Sequence, residues 1–476
     1  MTLDTRAFWR LARATQMSVI VDADDYFRNA RAAMLKARRR IMLVGWDFDA
    51  RIELTDQARE DGEPRRVGDF IYWLVERNPQ LEVYLLRWDV GALKTLTRGS
   101  NIAMILRWMR HPRIHTRLDG FHPPAASHHQ KIVVIDDCLA FCGGIDMTSE
   151  RWDTRAHRDA EPGRVTPHGK PYKPWHDATT ALQGPIAATL GELARDRWSR
   201  AGGGEIAPIT SQTDCWPDLL TPDFRDVEVG IARTRPEMPD CPEVREIEAL
   251  FVAQIAGART NIYAESQYFA SRRIAEAIGA RLAASDCPEI VIINPHSAQG
   301  WLEPVAMDTA RARLFAALKQ RDRNDRLRLY HPYTADGEAI YVHAKVMIVD
   351  GRLLRIGSAN MNNRSMGLDT ECDVMIDAGD EGGEAICAIR DGLIAEHLGV
   401  PVARITAEIA ARGSIIATIE ALRGDGRSLR PYQVPDLNAI ETWLADNEVL
   451  DPESPSEMFE ATSKRGLFRR LRHPFG

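Results

Sequence analysis

The chain lacks any run of about 18 consecutive apolar residues, the length that a membrane-spanning helix requires, so no segment is predicted to cross a bilayer. It also lacks the pattern of a secretory leader. Arginines stand at positions 6, 10 and 13, but neither an uninterrupted apolar stretch nor a small-residue cleavage site follows them, and export is not expected. Cysteine is sparse: seven residues, at 138, 142, 215, 241, 287, 372 and 387, are too scattered and of the wrong parity for a disulfide framework. Cys138 and Cys142 are expected on one strand, where they cannot bridge, and a reducing cytoplasm is the expected setting. Neither sign of charge dominates. With 61 Lys+Arg against 68 Asp+Glu the net charge is −7, which argues against a protein that coats nucleic acid nonspecifically and leaves room for a locally basic pocket. What remains is ordinary globular composition, 44% hydrophobic and 27% charged, over 476 residues. That excludes collagen-like, rod-like and disordered chains and predicts roughly two to four structural units.

The order of expected elements occurs twice. In the first copy Asp24 is placed to cap a helix whose apolar positions Tyr26, Ala30, Met34 and Ala37 recur at steps of four and three, and the β-rich segment Ile41-Met42-Leu43-Val44 follows. In the second, Val244, Ile247, Phe251, Ile255 and Ala258 keep helical spacing, and Asn261-Ile262-Tyr263-Ala264 supplies the strand. Each copy continues with a helix, a strand (Leu81 to Leu86; Ile290 to Ile293), another helix, a short strand (Arg113 to Thr116; Arg326 to Tyr330) and a hairpin. This alternation predicts an α/β fold of two similar lobes. The join is expected at Gly202-Gly203-Gly204 and the polar stretch to about Phe224. The expected division is a first repeat over 1–201, a linker over 202–225, a second repeat over 226–400, and a helical appendage with a basic tail over 401–476. In that tail, Lys464 to Arg472, basic and apolar residues interleave, as in a frayed terminus or a weak contact to anionic lipid headgroups.

Both copies carry one motif at the hairpin. The first reads His129-Gln130-Lys131 and ends at Asp136; the second reads His343-Ala344-Lys345 and ends at Asp350, and both fit H-x-K-x-x-x-x-D. On a strand, side chains alternate faces, so His129 is expected to share a face with Lys131, and His343 with Lys345. Asp136 and Asp350 complete the motif at the turn with opposite parity and are expected to hold the hairpin or balance charge. A lone histidine on a strand more often packs than reacts, but two matches at corresponding places in two repeats change the reading. If the lobes pack about a pseudo-two-fold axis, both His-Lys pairs converge on one pocket at the seam.

Such a pocket suits phosphodiester cleavage without a metal or other cofactor. One neutral histidine attacks phosphorus; the other, protonated, gives its proton to the leaving alkoxide and then activates water or an alcohol. The lysines stabilise charge on the phosphoryl oxygens. Nearby, Ser358 and Asn360 are expected to direct a hydroxyl and an amide at phosphate oxygens, with Gly144 and Asp146 at the corresponding places of the first copy. Asp177 and Glu371 are candidates to accept a proton from a catalytic imidazole and set its tautomer. A metal site built from His122, His128 and His129 is the competing reading, and it lacks Cys or acidic ligands at the usual spacing.

The duplicated motif resembles the signature of the phospholipase D superfamily, over about residues 17–400. Stretches similar to the phospholipase D enzymes include Gly45 to Asp49, Arg151-Trp152-Asp153-Thr154 with His157, Pro174-Trp175-His176-Asp177, Glu265 to Phe269 and Gly357 through Glu371. The resemblance implies a two-lobed fold with one active site at the seam, a phosphohistidine intermediate, and either hydrolysis or transfer to an alcohol. It implies His129 as nucleophile and His343 as acid and base, although sequence symmetry leaves these roles exchangeable. The implied substrate is a glycerophospholipid at the cytosolic membrane face, with phosphatidic acid as product. No nucleic acid partner is expected, and no oligomer is required because both motifs lie in one chain. The nearest rival is a cardiolipin synthase-type phosphatidyltransferase using the same residues. A nuclease is disfavoured by net acidity and by the lack of a basic, aromatic-studded groove, and a noncatalytic scaffold by two complete motifs. Trp46, Trp88, Tyr268, Phe269 and Trp301, expected in loops after strands, are packing residues or cation–π partners for a choline headgroup.

Overall fold

Arg10–Val21 forms a strand (β1) on which the architecture turns, and the sequence reading assigns it no element. Its apolar residues do not alternate cleanly: Leu11 is exposed while Ser18 is buried. In the first lobe β1 is followed by β2 (Arg40–Gly45), β3 (Glu82–Trp88), β4 (Ile114–Asp119), β5 (Ile132–Ile135), β6 (Leu139–Gly143), β7 (Trp175–His176) and β8 (Ala178–Gln183). The second lobe has β9 (Phe224–Arg235), β10 (Val244–Arg245), β11 (Asn261–Glu265), β12 (Glu289–Ile293), β13 (Leu327–Tyr333), β14 (Tyr341–Val342), β15 (Val346–Val349), β16 (Leu353–Gly357), β17 (Glu371–Asp377) and β18 (Ser428–Pro431). A computed structural model of the chain describes residues 7–55, 62–89, 99–210, 214–298, 303–379 and 383–435. Trp301 and the basic tail from Lys464 to Arg472 lie outside the described residues.

The main sheet is ordered β18-β13-β12-β11-β15-β16-β17-β9-β1-β8-β6-β5-β2-β3-β4, with β10 on β9. Setting β18 and β10 aside, it reads alike from either end, so β1 corresponds to β9, β8 to β17, and the hairpin β5–β6 to β15–β16. The lobes join where β1 and β9 pair antiparallel, Arg10 opposite Ile231 and Met17 opposite Phe224. Alternate residues of one strand enter different cores: Met42 and Val44 join a core shared by both lobes, whereas Ile41 and Leu43 join one confined to the first. Burial on both faces explains why these strands read as continuous apolar runs. The helices Pro185–Trp198 and Gly383–Leu398 supply the shared core from corresponding positions in the two lobes. The last segment is more than a helical appendage. After helices Val402–Arg412 and Ile415–Leu422, β18 extends the sheet antiparallel to β13.

Several local expectations need correction. The first helix, Ala23–Leu35, is preceded by Asp22 as N-cap rather than Asp24, which lies in its first turn. The Asp22 carboxylate accepts from the backbone N–H of Asp177 and leaves its own helix uncapped. The His-x-Lys residues sit ahead of their strands, since β5 begins at Ile132 and β15 at Val346, so strand alternation does not orient them. Cys138 occupies the turn after β5, close to Cys215 with the sulfurs 2.9 Å apart, while Cys142 on β6 faces Cys372 of the other lobe at 3.7 Å.

Candidate active site

Asp136 and Asp350 do different work from the residues that open their motif. Asp136 accepts from the backbone N–H groups of Arg38, Arg39 and Arg40, and Asp350 from those of Arg259, Thr260 and Asn261. Each thereby ties the hairpin turn to the chain entering the neighbouring strand, β2 or β11. They belong to the scaffold, not to the group of residues at the seam.

At the seam the two histidines come together from opposite lobes, ring centroids 6.3 Å apart. Matched backbone bonds hold them there. The N–H of His129 donates to Thr370 O at 2.9 Å and that of His343 to His176 O at 2.7 Å, so each histidine hangs on the residue preceding the other lobe's acid. The acids complete the exchange. His343 Nδ1 lies 2.7 Å from Asp177 Oδ2, and His129 Nδ1 lies 3.0 Å from Glu371 Oε2. His129 Nδ1 is also 3.0 Å from the carbonyl of Ser358, which can only accept, so this nitrogen carries the proton and Nε2 keeps its lone pair.

The two acids occupy corresponding places, just before β8 and at the start of β17, but their surroundings differ. The hydroxyl of Ser358 donates to Glu371 and is fully buried, which corrects its expected role as a phosphate contact. Ser365 donates to the same carboxylate at 2.7 Å. In the first lobe the place of Ser358 is taken by Gly144, where a Cβ would lie 2.2 Å from Asp177 Oδ1. A shorter acid approached by bare backbone thus replaces a longer acid held by hydroxyls. Asn360 is buried, its amide donating to Gln267 at 3.3 Å, and its Oδ1 has no hydrogen-bond partner among the described residues. Its amide nitrogen has a second N–H besides the one given to Gln267, so the side chain can offer both a donor and an acceptor near the site.

Both motif lysines are buried beside the histidines and donate to their backbone carbonyls, Lys131 to His129 at 2.7 Å and Lys345 to His343. Lys131 is also 3.3 Å from Asp146. Burial, together with Lys131 and Lys345, holds His129 well below the usual imidazole range, and burial, Lys345 and Arg151 do the same to His343. Burial lowers Lys345 to about 7 and pushes Glu371 up to about 8. The result is a pocket of neutral imidazoles with cations at hand, suited to an anion at its centre.

Beside His343 stands an aromatic wall. Trp175 is stacked on Tyr341 at 4.7 Å and lies 5.1 Å from the His343 ring, with the Arg151 guanidinium over it at 4.2 Å. Of the aromatics anticipated, Trp46 and Trp88 stack on each other at 5.9 Å and Phe269 is a core residue, whereas Trp175, which was not among them, lies against His343. The signal for Trp175 was its place two residues before Asp177.

Behind Asp177 lies a second buried cluster that the sequence reading missed. Asp22, His157, His176 and Glu396 each present one donor atom, all within 4.8 Å of one another. The outer nitrogens of the imidazoles are held by Asp153 at 3.0 Å and Glu265 at 2.8 Å. Among the described residues this set, and His176 with Glu265 and His397, could hold a metal ion. Burial opposes charge on His157, but Asp22, Asp153 and Glu396 outweigh it and raise the group to about 9. The histidines that sequence offered for a metal are otherwise engaged, His122 with Asp89 at 2.9 Å and His128 with Asp119 at 3.0 Å. The polar pair Glu396-His397 interrupting the apolar run Leu393 to Leu398 was the available sign of the buried cluster.

A duplicated α/β protein with two mirrored lobes and one shared histidine site is the class that this geometry defines. The family model described as "Phospholipase D" matches residues 33–214, and the one described as "Cardiolipin synthase, PLD-like domain" matches residues 251–386. The chain belongs to the phospholipase D superfamily. It is 25% identical to phospholipase D alpha 2 of Arabidopsis thaliana, covering 70% of this chain and 58% of that protein. To phospholipase D A of Dictyostelium discoideum it is 24% identical, covering 74% of this chain and 32% of the relative. The chain thus spans little more than half of the plant protein and a third of the amoebal one. The crystal structure of phosphatidylserine synthase from Haemophilus influenzae Rd KW20 shares the fold, with a TM-score of 0.57 at 12% identity over 87% of this chain and 96% of that one. Among the described residues no helix is long and apolar enough to cross a membrane.

Proposed function

We propose that the protein is a phospholipase D-type phosphodiesterase that cleaves the distal phosphodiester bond of glycerophospholipids, forming phosphatidic acid and a free headgroup alcohol. The observation that carries this reading is the pair of imidazoles 6.3 Å apart, each held at Nδ1 by an acid of the opposite lobe. In this mechanism His129 Nε2 attacks phosphorus while the bond from phosphorus to the headgroup oxygen breaks, and His343 Nε2 gives its proton to that oxygen. His343, now neutral, takes a proton from water; the hydroxide attacks phosphorus, the N–P bond breaks and His129 is restored. Lys131 and Lys345 stabilise the charge that gathers on the non-bridging oxygens. Arrival of an anionic phosphodiester favours the protonated form of His343, which burial and neighbouring cations otherwise oppose.

An alcohol in place of water would turn hydrolysis into transfer by the same steps. The match of residues 251–386 to a family model described by cardiolipin synthase supports keeping a phosphatidyltransferase as the second reading. Purified protein incubated with defined phospholipids, with and without a primary alcohol, tests both. Phosphatidic acid as main product supports the hydrolase; cardiolipin from phosphatidylglycerol supports the transferase; the absence of both products sinks the proposal.

A further inference from the structure

Arg151 is a third cation beside the histidines, and among the described residues no carboxylate is paired with it. Its side chain donates only to the carbonyl of Glu150, at 3.2 Å, and its Nε is buried without a hydrogen-bond partner. Two arginines of the same segment are paired with acids: Arg155 with Glu396, and Arg164, 3.2 Å from Asp153. The Arg151 guanidinium lies over Trp175, the ring that touches His343, and its charge is felt at both His343 and Lys345. An arginine kept half-buried beside His343 and Lys345, with no carboxylate paired to it among the described residues, offers that side of the pocket a cation that no acid already engages. The Trp175 ring is already stacked on Tyr341 and covered by a guanidinium, so a quaternary ammonium cannot take that cation–π contact.

We infer that Arg151, poised over Trp175 beside His343, reads the headgroup and favours substrates whose leaving alcohol carries its own anionic group, a carboxylate or a phosphate. The inference rests on the proposed reading, in which His343 hands its proton to the leaving alcohol and so marks the headgroup side. The planar fork of an arginine matches both oxyanions in a two-point contact, and removal from water strengthens that contact.

The test varies the lipid before the protein. In mixed micelles, kcat/KM is measured for phosphatidylserine against its serine methyl ester, and for phosphatidylglycerol phosphate against phosphatidylglycerol, with phosphatidylcholine as the cationic reference. The unaltered protein is expected to prefer the anionic member of at least one pair by about tenfold or more, and the pair that shows the preference distinguishes carboxylate from phosphate. Arg151→Gln is expected to bring that ratio close to one, with Arg151→Lys between the two. Equal rates within both pairs for the unaltered protein, or an unchanged ratio in Arg151→Gln, overturn the inference while leaving the phospholipase reading standing. If no lipid yields phosphatidic acid, that reading fails and takes this inference with it.

Discussion

His343 is bonded at Nδ1 to Asp177, a residue of the other lobe, at 2.7 Å, and His129 is bonded in return to Glu371 at 3.0 Å. Neither lobe by itself supplies both a motif histidine and the acid bonded to its Nδ1. The site therefore depends on the pairings that hold the halves in register, β1 with β9 and β7 with β14.

The two histidines are expected to be separable by the leaving group. His129→Asn and His343→Asn should each lower turnover of a phospholipid by about 10³-fold or more, with the thermal unfolding midpoint little changed. With an activated ester such as a p-nitrophenyl phosphodiester, whose leaving group needs no proton, His343→Asn should recover much of the first chemical step while His129→Asn should not. Recovery in the opposite variant would exchange the two roles.

Replacing the acids should act through the imidazoles. Asp177→Asn and Glu371→Gln preserve shape but replace the carboxylate by an amide that can donate to Nδ1 and so no longer enforces a proton there, and losses of about 10²–10⁴ in kcat are expected by comparison with the serine-protease triad. Ser358→Ala should cost less, on the order of tenfold, since Ser365 still donates to Glu371. Steady-state kinetics with unchanged circular dichroism check both expectations. A Ser358→Ala loss as large as that of Glu371→Gln would mean that the hydroxyl meets substrate after all.

The pH profile of kcat/KM should be bell-shaped, with its alkaline limb set by loss of the His343 proton, which burial and neighbouring cations disfavour, and by loss of the Lys345 charge. This lysine is lowered by burial to about 7, so its stabilising charge is present below that pH and lost above it. The rate should then fall as pH rises past about 7. The acidic limb should lie below the ordinary imidazole range, because the attacking histidine must be neutral and burial and the lysines hold it well below that range. A plateau extending to pH 9 would remove Lys345 from the charged state assigned to it.

Asp136 and Asp350 should prove to be stability residues. Asp136→Ala strands the backbone donors of Arg38, Arg39 and Arg40, and a cost of about 1–3 kcal/mol in denaturant unfolding is expected. Activity per folded molecule should stay within about twofold of the parent value, a change worth under 0.5 kcal/mol in the barrier. A large fall in kcat without loss of stability would return the residue to the chemistry.

His176→Leu should be among the most destabilising single changes near the site. His176 lies between Glu265, Asp22 and Glu396, all buried, and its removal takes one partner from each of them at a cost of about 3–5 kcal/mol. Chemical denaturation of the variant beside His129→Asn would separate this effect from simple loss of an imidazole.

The amino-acid sequence by itself determined the duplication, the alternation of strands and helices, and the identity of the paired His-Lys motifs, because these are recorded as local spacing and as repetition along the chain. It also brought Asp177 and Glu371 forward, through their positions after motifs that recur in each half. Tertiary structure alone decided which acid serves which histidine: the partners lie 166 and 242 residues apart, and pairing between the lobes, β1 with β9 and β7 with β14, brings them together. It also decided that Ser358 turns to Glu371, that Gly144 makes way for Asp177, and that Asp22, His157, His176 and Glu396 form one buried group. Those relationships depend on how elements from both halves close around a common interior, and a side chain's partner there is set by packing in three dimensions rather than by its neighbours in the chain.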